Sequence, residues 1–302
     1  MTFEGIYTPA ITPLCADGAI DKAAFSQVLE HLIDAGVHGI IIAGSTGEYY
    51  AHSTQERLDL ATYAKEVIGS RTQLIIGTGA VRTEESVEYA KLAKAIKADA
   101  ILVGTPPYAL PTEAENAAHA LAIDAAAGLP VMLYNYPGRM GMSMGREFFR
   151  IVTQASKNFV AIKESSGQTG QLHMLACEFP QIGLSCGWDD QALEFFAWGA
   201  RSWVCAGSNF IPREHIALYQ ACVVEKDFDK GRRIMTALMP LMDFLEGGKF
   251  VQAIKHGCEL IGLHAGGVRA PLQGLNDEEK QGLQAVLSKL QRDVAAITGG
   301  QQ

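Results

Sequence analysis

Along the chain, short runs of apolar, β-branched residues alternate with longer stretches in which apolar positions recur every three to four residues. The first kind reads as buried strands and the second as amphipathic helices. The runs predict strands over residues 5–11, 39–43, 74–77, 100–103, 131–134, 160–163, 183–186 and 203–206. The intervening periodicity predicts helices over 22–35, 55–68, 84–97, 114–127, 145–155, 171–178, 190–198 and 213–223. Ser53-Thr54 before the second helix is a capping signal, and Gly36 and Gly69 stop the first two. Strict alternation forces parallel pairing with right-handed crossovers, and eight βα units fit a closed (β/α)8 TIM barrel. An open, doubly wound sheet is the alternative, but no G-x-G-x-x-G follows the first strand.

After residue 223 the strand pattern stops. Three helices are expected over 227–246, 249–261 and 276–296, with Pro240 kinking the first. The predicted organisation is therefore a catalytic barrel over 1–224 and a helical extension over 225–302, ending in a short Gly-Gln tail. Met235, Leu238, Met239, Met242 and Leu245 form an apolar stripe that reads as core.

Composition narrows the class. Half the residues are hydrophobic (48%) and 19% are charged, so the chain has ample core for a soluble globular protein. A net charge of -8 without a basic cluster argues against a nucleic-acid surface. No apolar run approaches the roughly 20 residues that span a bilayer, and no signal peptide opens the chain. Six scattered cysteines without a C-x-x-C pair read as reduced thiols of a cytoplasmic protein, with Cys186 and Cys205 in the core.

The candidate chemistry centres on Phe159-Val160-Ala161-Ile162-Lys163-Glu164-Ser165-Ser166-Gly167. A buried strand there ends on a lysine. Desolvation favours the neutral amine, and drawing a lysine pKa from about 10.4 to about 7–8 takes roughly 4 kcal/mol. A neutral lysine amine is the nucleophile that forms Schiff bases with carbonyl compounds. The plainer reading is a strand-end lysine carrying its ammonium to solvent.

Other strand ends supply partners, because barrel active sites gather at that face. Gly44 and Gly47 allow close approach of a ligand to the backbone, and Ser45 and Thr46 add hydroxyl donors suited to a carboxylate. Tyr134 lies one strand from Lys163 and is the natural acid/base, with Ser45 and Tyr108 as a relay to solvent. Its alternative is a buried strand tyrosine with one satisfied hydroxyl. Arg139, after a Pro-Gly turn, suits bidentate carboxylate binding or a plain surface loop. Glu48 reads as a cap of the following helix, and Trp188-Asp189-Asp190 as pocket shape and a helix cap. No metal-ligand spacing and no phosphate loop is visible, so neither metal nor cofactor is expected.

Several of these segments form a recognisable set. G-x-x-T-P-x-x-T-P with Asp17-Gly18 and Asp21, G-S-T-G-E, T-P-P-Y, Y-N-x-P-x-R-x-G, I-K-E-S-S-G, Lys255 and Val268-Arg269-Ala270-Pro271-Leu272 span nearly the whole chain. The sequence thereby resembles the dihydrodipicolinate synthase/N-acetylneuraminate lyase family of class I lyases. The resemblance implies that Lys163 is the Schiff-base lysine and Tyr134 the acid/base. It implies a hydroxyl relay of Ser45 and Tyr108, the latter from a partner subunit. Ser45, Thr46 and backbone N–H groups would hold a 2-oxo acid carboxylate, Val204 would line the pocket, and the assembly would be a homotetramer, a dimer of dimers.

Departures bear on the substrate. Ser45 stands where lysine-pathway synthases usually carry threonine, and Pro106-Pro107-Tyr108-Ala109-Leu110-Pro111 and Tyr49-Tyr50 also differ from them. Arg139 is placed like the arginine that binds their second substrate, and sugar-acid lyases generally lack it. Y-N-Y-P-G-R-M-G together with W-G-A-R-S-W-V-C-A-G-S-N is similar to a branch that deaminates pyrroline-4-hydroxy-2-carboxylate. The expected activity is therefore a lyase acting on a small 2-oxo acid or cyclic 2-imino acid, with that deaminase as the specific reading. The alternatives are 4-hydroxy-tetrahydrodipicolinate synthase, a 2-keto-3-deoxy sugar acid aldolase, and a non-catalytic binding module on the same barrel.

Overall fold

The computed structural model describes residues 2–299; Met1 and the last three residues of the Gly-Gln tail lie outside the described residues. Strands β1 (Gly5–Pro9), β2 (Gly39–Ile42), β3 (Gln73–Gly77), β4 (Ala100–Gly104), β5 (Val131–Asn135), β6 (Phe159–Glu164), β7 (Gly183–Cys186) and β8 (Ser202–Val204) pair in parallel in chain order. Strand β8 closes onto β1, so no edge remains. The helices between them are α1 (Lys22–Asp34), α2 (Thr54–Ile68), α3 (Thr83–Ala95), α4 (Glu113–Ala127), α5 (Pro137–Met140), α6 (Arg146–Ala155), α7 (Thr169–Glu178) and α8 (Ala192–Ala197). Helix α9 (Pro212–Tyr219) follows β8, and α10 (Phe228–Glu246), α11 (Phe250–Leu260) and α12 (Asp277–Thr298) complete the chain. The chain is a (β/α)8 TIM barrel with a C-terminal helical extension.

Two apolar cores result from the strand alternation. Tyr7, Ile41, Ile75, Leu102, Met132, Ala161 and Val204 fill the barrel interior. Residues of opposite parity, among them Ile6, Ile40, Leu74, Ile101, Leu133 and Ile162, pack outward against the helices. Helix starts are capped by Asp21, Ser53, Thr112 and Asn276, the last three in reciprocal boxes with Glu56, Glu115 and Glu279.

The observed elements depart from the sequence pattern at the strand ends. β1 stops at Pro9, and the Ile11 N–H goes to Asn209 Oδ1 at 3.0 Å instead of a ladder partner. The Asn209 amide also donates to Pro9 O and Ala206 O, at 3.0 and 2.8 Å, so it knits the ends of β1 and β8 together. The helix expected from residue 190 begins as a 3-10 turn, Asp189–Gln191, before α8. The short helix α5 was not expected.

One irregularity sets the register of the site. Val131 pairs with Phe159, but Met132 pairs with Ala161, so β6 carries an extra residue, Val160. Beyond this bulge Tyr134 stands opposite Lys163; an unbroken register would have set Ile162 there. A one-residue slip exchanges the faces of a strand. The bulge therefore pairs Lys163, turned toward the barrel mouth, with Tyr134.

The extension is pinned to the barrel by a buried ion pair. Lys255 Nζ of α11 lies 2.6 Å from Glu48 Oε2, with side chains 2% and 0% exposed. The Lys255 ammonium also donates to Gly267 O at 2.6 Å, and Arg269 N–H donates to Glu48 Oε1 at 3.2 Å. The Arg269 guanidinium reaches Gly18 O and Ala51 O, at 2.9 and 2.8 Å, and the Glu56 carboxylate. The expected capping role of Glu48 does not hold: Ser53 caps α2, and Glu48, with φ 57°, turns its carboxylate toward the extension. Removing one member of a buried pair strands the other, typically at about 3–5 kcal/mol. Lys255→Met should lower the unfolding free energy in urea by that amount, and Glu48→Gln/Lys255→Met should recover most of it. Breaking an exposed pair such as Glu147–Arg150 should by contrast leave the unfolding midpoint nearly unchanged.

Candidate active site

Lys163 occupies the penultimate position of β6, between Tyr134 on β5 and Ser185 on β7 in the ladder. Its stem is closely confined. A Cβ added at Gly187 would come within 2.6 Å of Lys163 Cγ and 2.2 Å of Ser165 Oγ, so only glycine fits beside the lysine. Ser165 Oγ donates to Gly187 O at 2.8 Å, tying the ends of β6 and β7. Glu164, also buried, accepts from Asn135 Nδ2 at 2.8 Å and from Ser166 N at 2.7 Å. This brace between β5 and β6 holds Tyr134 and Lys163 in register.

The lysine amine lies 4.3 Å from the centre of the Tyr134 ring. Burial lowers its pKa to about 8; Asp189 works against that fall and Arg139 with it. Burial raises Asp189 to about 7, while Trp203 Nε1, donating at 2.9 Å, and the Lys163 charge hold it lower than burial alone would. Burial also raises the Tyr134 phenol to about 12, opposed by Arg139 and by a hydrogen bond with Ser45. At neutral pH the phenol is therefore protonated, and burial makes the Lys163 amine more readily free, and the Asp189 carboxyl more readily protonated, than in water.

These groups surround a cavity of about 170 Å³ at the C-terminal mouth of the barrel. Ser45, Thr46, Val204, Ala206, Tyr136, Arg139 and Trp188 contribute to its lining. Of the residues singled out in the sequence, the structure brings Lys163, Tyr134, Ser45, Thr46, Arg139 and Val204 around this one space. Tyr108 does not join them. It is 93% exposed, on a loop where it and Leu110 both take positive φ, and this turns the phenol away from its own barrel. A relay from Ser45 to Tyr108 within one chain is therefore excluded by geometry.

Other expectations for this region change as well. Asp189 caps no helix and faces the amine, deep in the cavity. Gly47 is required by its own chain: a Cβ there would approach Ala10 O to 2.8 Å, while Thr12 Oγ1 donates to Gly47 O at 2.9 Å. Leu245, Glu246, Gly248 and Phe250, from the end of α10 and the start of α11, also line the cavity. Their sequence shows only the end of an amphipathic helix followed by two glycines, so nothing local marked them. A larger cavity of about 540 Å³, beside His31, Arg213 and Val294, contains none of the strand-end residues. Among the described residues, no three His, Cys, Asp or Glu side chains cluster as a metal site, and no helix is long and apolar enough to cross a membrane.

Lys163 labelling by an amine-directed acylating reagent should rise with pH through a midpoint near 8, because only the free amine reacts. Asp189→Asn removes an anion that favours the ammonium and should lower the midpoint. Arg139→Ala removes a repelling cation and should raise it. Peptide mass analysis across pH checks both signs.

Comparison with known proteins places these features in context. The dihydrodipicolinate synthetase family matches residues 2–290. A 4-hydroxy-tetrahydrodipicolinate synthase of Exiguobacterium sibiricum is 35% identical over 272 residues, covering 89% of this chain and 92% of that protein. The solved 4-hydroxy-tetrahydrodipicolinate synthase of Methylacidiphilum fumariolicum SolV superposes with a TM-score of 0.94 at 29% identity, over 99% of both chains. A putative dihydrodipicolinate synthetase from Pseudomonas aeruginosa gives 0.92 at 35% identity, over 96% of this chain and 100% of that one.

Proposed function

The chain belongs to the dihydrodipicolinate synthetase family of lysine Schiff-base lyases, which use no cofactor beyond the covalent imine, and on that premise we propose that Lys163 attacks the C=N carbon of pyrroline-4-hydroxy-2-carboxylate and that the enzyme deaminates this compound. One observation carries the reading: in the same cavity as the amine stands a second buried acid, Asp189, held by Trp203 Nε1 and made more basic than an ordinary carboxylate by burial. Aldol addition needs one proton cycle. Expelling hydroxide and then ammonia needs several.

In this reading Ser45 and Thr46 receive the substrate carboxylate. Lys163 Nζ adds to C2, and cleavage of the C2–N bond opens the ring to a Schiff base carrying a C5 amine. A proton leaves C3 and hydroxide leaves C4 as water, protonated by Tyr134. Loss of a C5 proton, with protons returned to C3 and C4, moves the double bond to C5=N. Water adds there and ammonia departs. A second water then releases the chain from Lys163 as a 2-oxo semialdehyde. The sum is one substrate and one water giving one semialdehyde and one ammonia. Asp189 shuttles the protons that Tyr134, with its high pKa, releases only slowly. The exposed Tyr108 of a neighbouring copy completes the relay through Ser45, in a homotetramer built as a dimer of dimers.

A second reading is favoured by Arg139 on the cavity wall and by the names of the relatives. There the lysine carries pyruvate as an enamine, which attacks aspartate semialdehyde held by Arg139. A cavity of about 170 Å³ suits either substrate better than a long polyol chain.

Borohydride should fix pyruvate or the hydroxypyrroline carboxylate onto Lys163, and Lys163→Ala should abolish the adduct. Ammonia release from the hydroxypyrroline carboxylate is the outcome expected of the wild type. Its absence, with condensation of pyruvate and aspartate semialdehyde, would install the second reading. Tyr134→Phe should lower turnover about 10²–10⁴-fold while leaving Lys163 trappable; undiminished turnover would remove Tyr134 from the mechanism.

A further inference from the structure

The charges around the cavity are unevenly satisfied. Asp189, at its base, accepts from Trp203 and faces Lys163. Glu246, at the mouth, has neither a hydrogen bond nor an ion pair among the described residues. Arg139 and Lys163 are its nearest cationic influences, and both stand outside ion-pairing distance. Burial and the neighbouring Asp190 push the Glu246 carboxyl above its ordinary pKa. Glu246 lines the same cavity as Lys163 and Arg139 and is itself exposed, so its carboxylate is open to a ligand that enters there. Gly247 and Gly248 follow it, so no side chain from the next two positions covers the carboxylate. A neutral hydroxyl would leave repulsion between these acids in place; a cation relieves it.

We infer that Glu246 is a specificity-determining residue that binds a cationic amino group on the part of the substrate remote from the Schiff-base carbon. The enzyme then takes amino-bearing 2-oxo or 2-imino acids in preference to neutral hydroxy acids. The inference rests on Lys163 as the Schiff-base residue but holds for either proposed reaction. Ring opening of the imino acid frees a C5 amine, which is protonated at neutral pH. Aspartate semialdehyde carries an α-ammonium beside its carboxylate, and Glu246 with Arg139 forms a complementary pair for the two. A deoxy sugar acid offers only hydroxyls.

Two probes that cannot turn over separate this from the choice of reaction. Δ1-Pyrroline-2-carboxylate lacks the leaving hydroxyl and gives, after ring opening on Lys163, a chain with a terminal ammonium. 2-Oxopentanoate gives the same chain without it. Each is trapped on the full-length protein with cyanoborohydride, and the concentration for half-maximal adduct is read by mass. A charge-assisted hydrogen bond corresponds to about tenfold or more in affinity. Glu246→Gln should therefore raise the pyrroline concentration about tenfold or more and leave 2-oxopentanoate unchanged, and Glu246→Asp should restore part of the loss. Equal shifts for both probes, a shift for 2-oxopentanoate alone, no shift for either, or no pyrroline adduct on the wild type would overturn the inference. Failure of the deaminase reading shows separately, as wild-type protein that traps the pyrroline but releases no ammonia from its hydroxylated form.

Discussion

A half-buried amine at the mouth of a closed barrel is the constraint to which the rest of the site answers. Burial favours the neutral form of Lys163, which makes it a nucleophile near neutral pH. The same burial raises Asp189, so amine and carboxyl are drawn toward one another on the pKa scale, while it moves the Tyr134 phenol up and away from both. The structural cost is met by rigid surroundings. Glu164–Asn135 braces β5 to β6, Ser165 ties β6 to β7, and Gly187 leaves room for the lysine stem alone.

The helices beyond the barrel are part of that enclosure. Their attachment runs through Glu48, Lys255 and Arg269, a buried network joining the loop after β2 to α11 and the chain that follows it. Glu48 lies two residues beyond Thr46, on the loop that faces the cavity. The pinned extension brings the end of α10 over the mouth, and Leu245, Glu246, Gly248 and Phe250 close a wall the strands leave open. The cavity wall is thus completed by residues from outside the β/α repeat, held there by the same contacts that attach the extension.

The sequence held much of this in legible form. Period-2 runs alternating with helical periodicity dictated eight βα units, and closure followed from parallel pairing without an open edge. The strand-end position of Lys163 was visible because a charged residue ending an apolar run is costly and therefore conspicuous. Ser45, Thr46, Tyr134 and Arg139 were visible because the barrel assigns strand ends to a single face, and Val204 through the family resemblance. Asp189 was read as pocket shape and as a helix cap; it does line the cavity, but Asp before a helix suggests a cap locally, whereas its burial against Trp203 is a non-local fact. Glu48 was misread for the same reason, because its partner lies more than two hundred residues away.

By itself, then, the sequence determined the barrel and the lysine at a strand end facing its mouth, because strand and helix periods are local and the strand-end rule is general. The tertiary structure decided what depends on long-range register and packing. The Val160 bulge set Lys163 rather than Ile162 beside Tyr134, a one-residue matter that no local pattern encodes. The loop conformation at Tyr108 took that phenol out of its own site. The docking of α10 brought Glu246 to the cavity, because a carboxylate's surroundings, not its place in a helix, decide whether it meets solvent or substrate.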